Sequence, residues 1–281
     1  MKANQKSIAI IICYLGKLPW YFDHFAHSCK YNPTVDFIIV TDDTTYSEPV
    51  SFNVKFVYKS LAEINACATE KLGLPVQIIN GYKLCDFKPT YGIIFSELLQ
   101  GYDFWGQCDI DVIFGDLRYF LDERMLNDFD FINVRHDYTA GCFYLFRNNP
   151  FMNNFFRRSK DYQKVLSSSE HFCFDECNFG HRFLSEGKSI FEIETPIQSF
   201  THIIRTAERN NEIKAYFDFI LIEGVPGRIK FNNGKIIYKN TFEAILYHLI
   251  GLKQVYRPKS LPAFIPGVYY ISPTRIYHRI N

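Results

Sequence analysis

The stretch YDFWGQCDIDVIFGDL, Tyr102 to Leu117, reads as an apolar strand carrying two carboxylates near its end, Asp109 and Asp111, one residue apart. An unpaired charge is costly in an apolar interior, so buried carboxylates are paired, protonated or bound to a metal. Alternate residues of a strand share a face, so both acids can turn toward one cation. Ligands of open α/β sheets gather at the carboxyl ends of strands, where this pair would stand. Hard divalent ions such as Mg²⁺ or Mn²⁺ take oxygen ligands and leave positions for a diphosphate. The same tripeptide recurs at Asp128 and Asp130 in NDFDFINV, where a loop enters a strand and the acids are solvated. Context, not the tripeptide, singles out Asp109 and Asp111. The competing reading is an acidic strand-end turn without a ligand.

Upstream, SIAIIICYL is a first strand, YFDHFAHSCKYN a helix, TVDFIIVTDD a second strand ending on Asp42 and Asp43, and VKFVYKS a third. Strand, helix, strand opens a mostly parallel sheet. Leu61 to Lys71 reads as a helix, and KPTYGIIFSELLQGY as another, with Pro89 in its first turn and Gly101 at its end. Downstream, DFDFINV and GCFYLFRN read as strands, Asn153 to Leu166 and Asp175 to Ser185 as helices, and IKFNNGKIIYK as a hairpin turning at Asn-Gly. The fold class is α/β, a single domain with an irregular C-terminal third.

The 281 residues can bury a sizeable core, and aromatics at 17% favour broad packed layers. A net charge of +1 gives no global reason to expect nucleic acid. The first apolar run, Ile8 to Tyr14, has strand length and is too short for a secretory signal or a membrane span. The eight cysteines are scattered, which suits reduced thiols in the cytoplasm. HFCFDEC places Cys173 and Cys177 near His171 and His181, but no second ligand pair accompanies them. Buried helical thiols are therefore preferred to structural zinc.

A strand ending in Asp-x-Asp after an N-terminal βαβ unit resembles the nucleotide-sugar glycosyltransferases of GT-A fold. YHLIGLK, with His248, Gly251 and Lys253, is similar to the His-x-x-Gly-x-x-Lys-Pro of glycogenin-like and bacterial lipopolysaccharide transferases, one residue short and without the proline. More of the chain resembles an uncharacterised bacterial polysaccharide-biosynthesis group. The matching residues are Tyr14, Gly16, Lys17 and Pro19; Asn32 and Pro33; Thr41 and Asp42; the block YKLCDFKPTYG; Asp109 and Asp111; and Phe174, Asp175 and Glu176. The resemblance spans roughly residues 8 to 253, and YKLCDFKPTYG is its most specific part.

The resemblance implies a GT-A type Rossmann-like mixed sheet flanked by helices over 1–252, with an irregular extension over 253–281. It implies Mn²⁺ or Mg²⁺ on Asp109, Asp111 and His248, a UDP-sugar as the nucleotide-sugar donor, and Lys253 on its diphosphate. Tyr14, Gly16 and Asp42 would meet the base and ribose. Lys83, Asp86 and Lys88 would meet phosphate and donor sugar, with Gly141 shaping the sugar pocket. Asp175 and Glu176 would serve the reaction itself, as a base for the acceptor hydroxyl or as a stabiliser of the anomeric carbon. Glycogenin-like features imply retention of configuration. The acceptor would be a saccharide or lipid-linked saccharide in cell-surface polysaccharide or lipopolysaccharide synthesis. The segment 253–281 is basic, aromatic and free of acids, and would pack on the domain or touch the inner membrane peripherally. Two readings compete: a metal-dependent nucleotidyltransferase, which uses the same parts, and a non-catalytic carbohydrate-binding protein, which would explain the aromatic richness but not the metal triad.

Overall fold

A computed structural model describes residues 5–46, 50–260, 262 and 264–278. The last residues of the basic segment, 279–281, lie outside that range. Nine strands build the body: β1 (Ile8–Cys13), β2 (Val35–Thr41), β3 (Val54–Tyr58), β4 (Phe104–Cys108), β5 (Val112–Phe114), β6 (Phe131–Asn133), β7 (Phe143–Arg147), β8 (Ala215–Phe217) and β9 (Leu221–Glu223). Seven of them form one sheet in the order β3-β2-β1-β4-β7-β6-β8. β3, β2, β1 and β4 run parallel, β7 is antiparallel to both its neighbours, and β6 pairs parallel with β8. The mixed α/β sheet flanked by helices that the sequence led us to expect is therefore present.

IAIIIC forms a central strand because both of its faces are covered. Ala9 and Ile11 pack with Ile64, Phe87, Trp105 and Phe146 on one side, and Ile8, Ile10 and Ile12 pack with Phe25, Phe37 and Phe143 on the other. Helix α1 (Phe22–Lys30) covers the second side, and α2 (Leu61–Leu72) the first. Ser60 and Glu63 close a capping box at the start of α2, and Gly73 takes the left-handed φ of +69° at its end.

Three expected helices are broken. Residues 83–99 form two 3₁₀ runs, Lys83–Thr90 and Ser96–Leu99, around a single turn at Tyr91–Ile94. Pro89 removes a donor, and the segment lies so close to the sheet that a Cβ on Gly92 would sit 2.7 Å from the Trp105 ring. Between Pro150 and Ser167 the helix is interrupted where side chains take over backbone groups: Asn154 Nδ2 donates to the Pro150 carbonyl and Ser159 Oγ to that of Gln198. Asp175 to Glu176 is a turn, and only His181–Ser185 of that stretch is helical. The carbonyls of Asp175 and Glu176 accept from the Thr139 and Thr201 hydroxyls.

The C-terminal part is more regular than its sequence suggests. β10 (Ile229–Asn232) and β11 (Lys235–Tyr238) form the expected hairpin, with Asn233 and Gly234 both at positive φ in the turn. β12 (Phe242–Ala244) then leads to β13 (Leu246–His248), and β14 (Val268–Ile271) and β15 (Ile276–His278) complete a five-stranded sheet in the order β12-β11-β10-β14-β15. This sheet packs on α1, where His24 Nε2 lies 2.9 Å from His278 Nε2. β13 itself joins β5 and β9 in a separate three-stranded sheet. Among the described residues, no helix is long and apolar enough to cross a membrane.

Gly92→Ala tests the close approach to Trp105. Overpacking of this kind costs about 1–3 kcal/mol, so thermal unfolding should come several degrees earlier, whereas an unchanged Tm would refute the contact.

Candidate functional site

A cavity of about 980 Å³ opens beyond the carboxyl ends of β1 and β4. Cys13, Tyr14 and Leu15 line it after the first strand, and Cys108 to Asp111 after the fourth. Tyr82, Cys85, Lys88 and Tyr91 line it at intervals of three, the repeat of the 3₁₀ run that carries them.

That repeat decides the fate of YKLCDFKPTYG. Lys88 faces the cavity, while Lys83 and Asp86 lie on another side of the run and are fully buried away from it. Lys83 Nζ is 2.8 Å from Asp86 Oδ2 and donates to the carbonyls of Val165 and Glu170. Asp86 accepts from the backbone N–H groups of Phe172 and Phe174, at 3.0 and 2.8 Å, and so pins the turn that holds Asp175. Gly16 and Asp42 also stay off the cavity wall. Asp42 Oδ1 accepts from Gly16 N–H at 2.6 Å, which shapes the loop that carries Tyr14. The structure thus brings Tyr14, Lys88, Asp109, Asp111, Asp175, Glu176, His248 and Lys253 together at the cavity, and leaves Gly16, Asp42, Lys83 and Asp86 in supporting contacts.

Asp111 is buried, and its Oδ2 lies 2.6 Å from Lys253 Nζ and 3.4 Å from His248 Nε2. Burial opposes its charge, yet His248 and Lys253 outweigh that and hold the carboxyl well below the usual range. Strand pairing brings His248 there: β13 runs antiparallel to β5, setting His248 across from Val112, and Leu249 N–H donates to the Asp111 carbonyl. Gly251 lets the following turn lie against Gly224, whose backbone would be 2.9 Å from an added Cβ. The turn then presents Lys253.

Lys88 is the second cation. Its Nζ is 2.7 Å from Asp109 Oδ1, 2.8 Å from the Gly141 carbonyl and 3.4 Å from Asp175 Oδ2. Burial opposes this charge too, but Asp109 and Asp175 among its neighbours push its pKa well above the ordinary lysine value. Gly141 does not line the cavity. Its N–H donates to Glu176 Oε1 at 2.7 Å, and a Cβ at that position would lie 2.7 Å from Asp175 Oδ2, so no side chain fits there.

Asp175 and Glu176 are driven apart in acidity. Burial, with Glu176 adding its charge, pushes Asp175 well up despite Lys88. For Glu176, the His181 hydrogen bond at 2.6 Å overrides burial and lowers the carboxyl to about 2.

One ligand atom each from Asp109, Asp111 and His248 lies within 4.8 Å of the others. Asp111 Oδ2 is buried and lacks a hydrogen bond of good geometry, and the donor set is two carboxylates and an imidazole. These groups fit a hard divalent ion. Glu223, which the sequence reading missed, holds the other nitrogen of the imidazole: its Oε1 is 3.0 Å from His248 Nδ1, and Arg135 backs it through an ion pair. Outer carboxylates of this kind orient metal-bound histidines. No sequence pattern marks Glu223, because only the parallel pairing of β9 with β13 sets it beside His248. Tyr21 and His181 were also missed at the cavity wall.

The chain belongs to a family of unknown function, DUF6625, whose family model matches residues 10–279. That span takes in the C-terminal strands. The solved structure of galactosyltransferase LgtC with donor and acceptor sugar analogs is similar at 12% identity and a TM-score of 0.37, over 76% of this chain and 75% of that one. An active-site mutant of LgtC gives 11% identity and the same TM-score and coverage. The search among curated proteins found no match.

The Glu176–His181 pair makes stability depend on pH. Glu176 is depressed from 4.5 to about 2, so its contribution is present above 4.5 and fades as pH falls toward 2. His181 is raised above 6.5, so its contribution is complete below 6.5 and fades as pH rises through the raised value. The Tm gap between wild type and His181→Gln should therefore be widest between pH 4.5 and 6.5. A gap independent of pH would show that the two groups do not form an ion pair.

Proposed function

We propose that this protein is a metal-dependent glycosyltransferase that moves a sugar from a UDP-sugar to a saccharide acceptor in cell-surface polysaccharide or lipopolysaccharide synthesis. The observation that carries the reading is the convergence of Asp109, Asp111 and His248 at the carboxyl ends of the strands, with Lys253 beside them and a second acid pair lining the same cavity. Asp109, Asp111 and His248 would hold Mn²⁺ or Mg²⁺, which supplies charge neutralisation for a diphosphate leaving group. Lys253 moves from Asp111 to the diphosphate, and Tyr14 stacks on the uracil.

Asp175 and Glu176, whose acidities are split, face the region where a donor sugar would meet an acceptor hydroxyl. The carboxyl raised toward the working pH, Asp175, is the better placed of the two to exchange a proton, and Glu176 the better placed to stabilise positive charge at the anomeric carbon. Gly16, Asp42, Lys83 and Asp86 act by holding loops in place. At the C-terminal sheet, Arg257, Lys259 and Arg275 border a separate cavity of about 810 Å³ that no acid lines among the described residues. That surface would bring the enzyme from the cytoplasm to an anionic inner-membrane face presenting a lipid-linked acceptor.

A thermal-shift screen against UDP, GDP, CMP and UDP-sugars, with Mn²⁺ or with EDTA, tests this reading. Ligand at 100 Kd stabilises by about 2.7 kcal/mol, a rise of several degrees for a chain of this size. The rise should appear with UDP or one UDP-sugar, require Mn²⁺, and vanish in Asp111→Asn. No rise with any nucleotide, or a rise indifferent to EDTA, would favour the binding-protein alternative. Pyrophosphate release from an NTP would favour the nucleotidyltransferase.

A further inference from the structure

We propose that Cys173, Glu176 and His181 form a second metal site on the wall of the same cavity, one whose donors are chosen for Zn²⁺. The three offer a thiol, a carboxylate and an imidazole within 4.8 Å of one another. Cys173 Sγ lies 3.4 Å from Glu176 Oε2 and 3.9 Å from His181 Nε2. Tetrahedral zinc, with bonds of about 2.3 Å to sulfur and about 2.0–2.2 Å to nitrogen and oxygen, separates such donors by roughly 3.3–3.6 Å. The third separation, 2.6 Å between His181 Nε2 and Glu176 Oε2, is a hydrogen bond that must open by under an ångström.

The turn carrying these groups is held from every side. Asp86 fixes Phe172 and Phe174 by their N–H groups, and Thr139 and Thr201 fix the carbonyls of Asp175 and Glu176. Gly141 N–H occupies Glu176 Oε1 and turns Oε2 toward Cys173 and His181. The His181 ring rests edge-on against Tyr138, with centroids 4.9 Å apart. Cys173 takes a φ of +50°, a backbone state that residues with a side chain adopt rarely and that here belongs to the turn presenting its sulfur. Ligand groups held this way need little reorganisation to bind an ion.

The donor set separates the two centres. Two carboxylates and an imidazole suit Mg²⁺ or Mn²⁺, whereas thiolate with imidazole and one carboxylate suits Zn²⁺ or its spectroscopic substitute Co²⁺. Cys177, the partner that the sequence spacing suggests for Cys173, is not among the ligands, and His171 lies against Asp86 instead. Binding converts the Cys173 thiol to thiolate, and its proton leaves to solvent. All three ligands line the cavity, so an ion held by them would be reached from that space. Zinc there would take the Glu176 carboxylate out of the chemistry and inhibit transfer, a consequence that rests on the transferase reading. The site itself does not.

The test is optical titration of the purified full chain with Co²⁺, and with Zn²⁺ in competition. Wild type should develop the thiolate-to-cobalt charge-transfer absorption, and Zn²⁺ should abolish it. Cys173→Ser should lose the band, and His181→Gln should weaken Co²⁺ binding by at least the roughly 10–100-fold that loss of an outer partner costs. Another thiol-bearing trio, Cys142, Glu223 and His248, shares its imidazole with Asp109 and Asp111, so Cys142→Ser is the control that should keep the band. No band in wild type, a band surviving in Cys173→Ser, or a band lost only in Cys142→Ser would overturn the proposal. If Cys173→Ser does not fold, His181→Gln decides. None of these outcomes depends on nucleotide binding.

Discussion

A buried ammonium holds the cavity together. Lys88 reaches Asp109 at the end of β4, the Gly141 carbonyl before β7, and Asp175 in the turn beyond. Removing any one partner leaves charge uncompensated in a place that water reaches poorly, which is why such arrangements are kept whole or not at all. The 3₁₀ run follows from this need. Its three-residue repeat sends Lys88 toward the acids and turns Lys83 and Asp86 into the body of the protein, where they pin the turn that supplies Asp175.

Much of this is visible in the sequence and some of it could not be. The near-continuous apolar runs of β1, β2 and β4 are unmistakable because both faces of each are buried, and Asp109 with Asp111 stand out because they interrupt such a run. The sequence reading also singled out His248 and Lys253, but their route to Asp111 depends on β13 pairing with β5 across more than a hundred residues. Lys83, Asp86 and Lys88 were grouped by closeness in sequence, and a helical repeat of three separates them. Glu223 carries no local signal at all. The helix expected over Asp175 to Ser185 is replaced by a turn in its first half, and only the tertiary contacts of Thr139, Thr201 and Asp86 show why. The final strands were hidden by proline and basic residues that suggest an irregular tail.

The cavity joins two clusters of acids that share the Lys88 ammonium. On one wall, carboxylates and a histidine are balanced by Lys88 and Lys253, an arrangement able to trade ammonium contacts for a divalent ion and a diphosphate. Beside it, the hydrogen bond from His181 lowers the Glu176 carboxyl while burial pushes that of Asp175 up. The same His181 and Glu176 lie within reach of the Cys173 thiol, the donor set on which the proposed zinc site rests.

Diffraction at the manganese absorption edge, from crystals grown with Mn²⁺ and UDP, tests the central claim most directly. The account predicts an anomalous peak bounded by Asp109, Asp111 and His248, with the Lys253 ammonium moved from Asp111 to the diphosphate. An anomalous peak elsewhere, or Lys253 still paired with Asp111 and no ion beside it when nucleotide is bound, would contradict it.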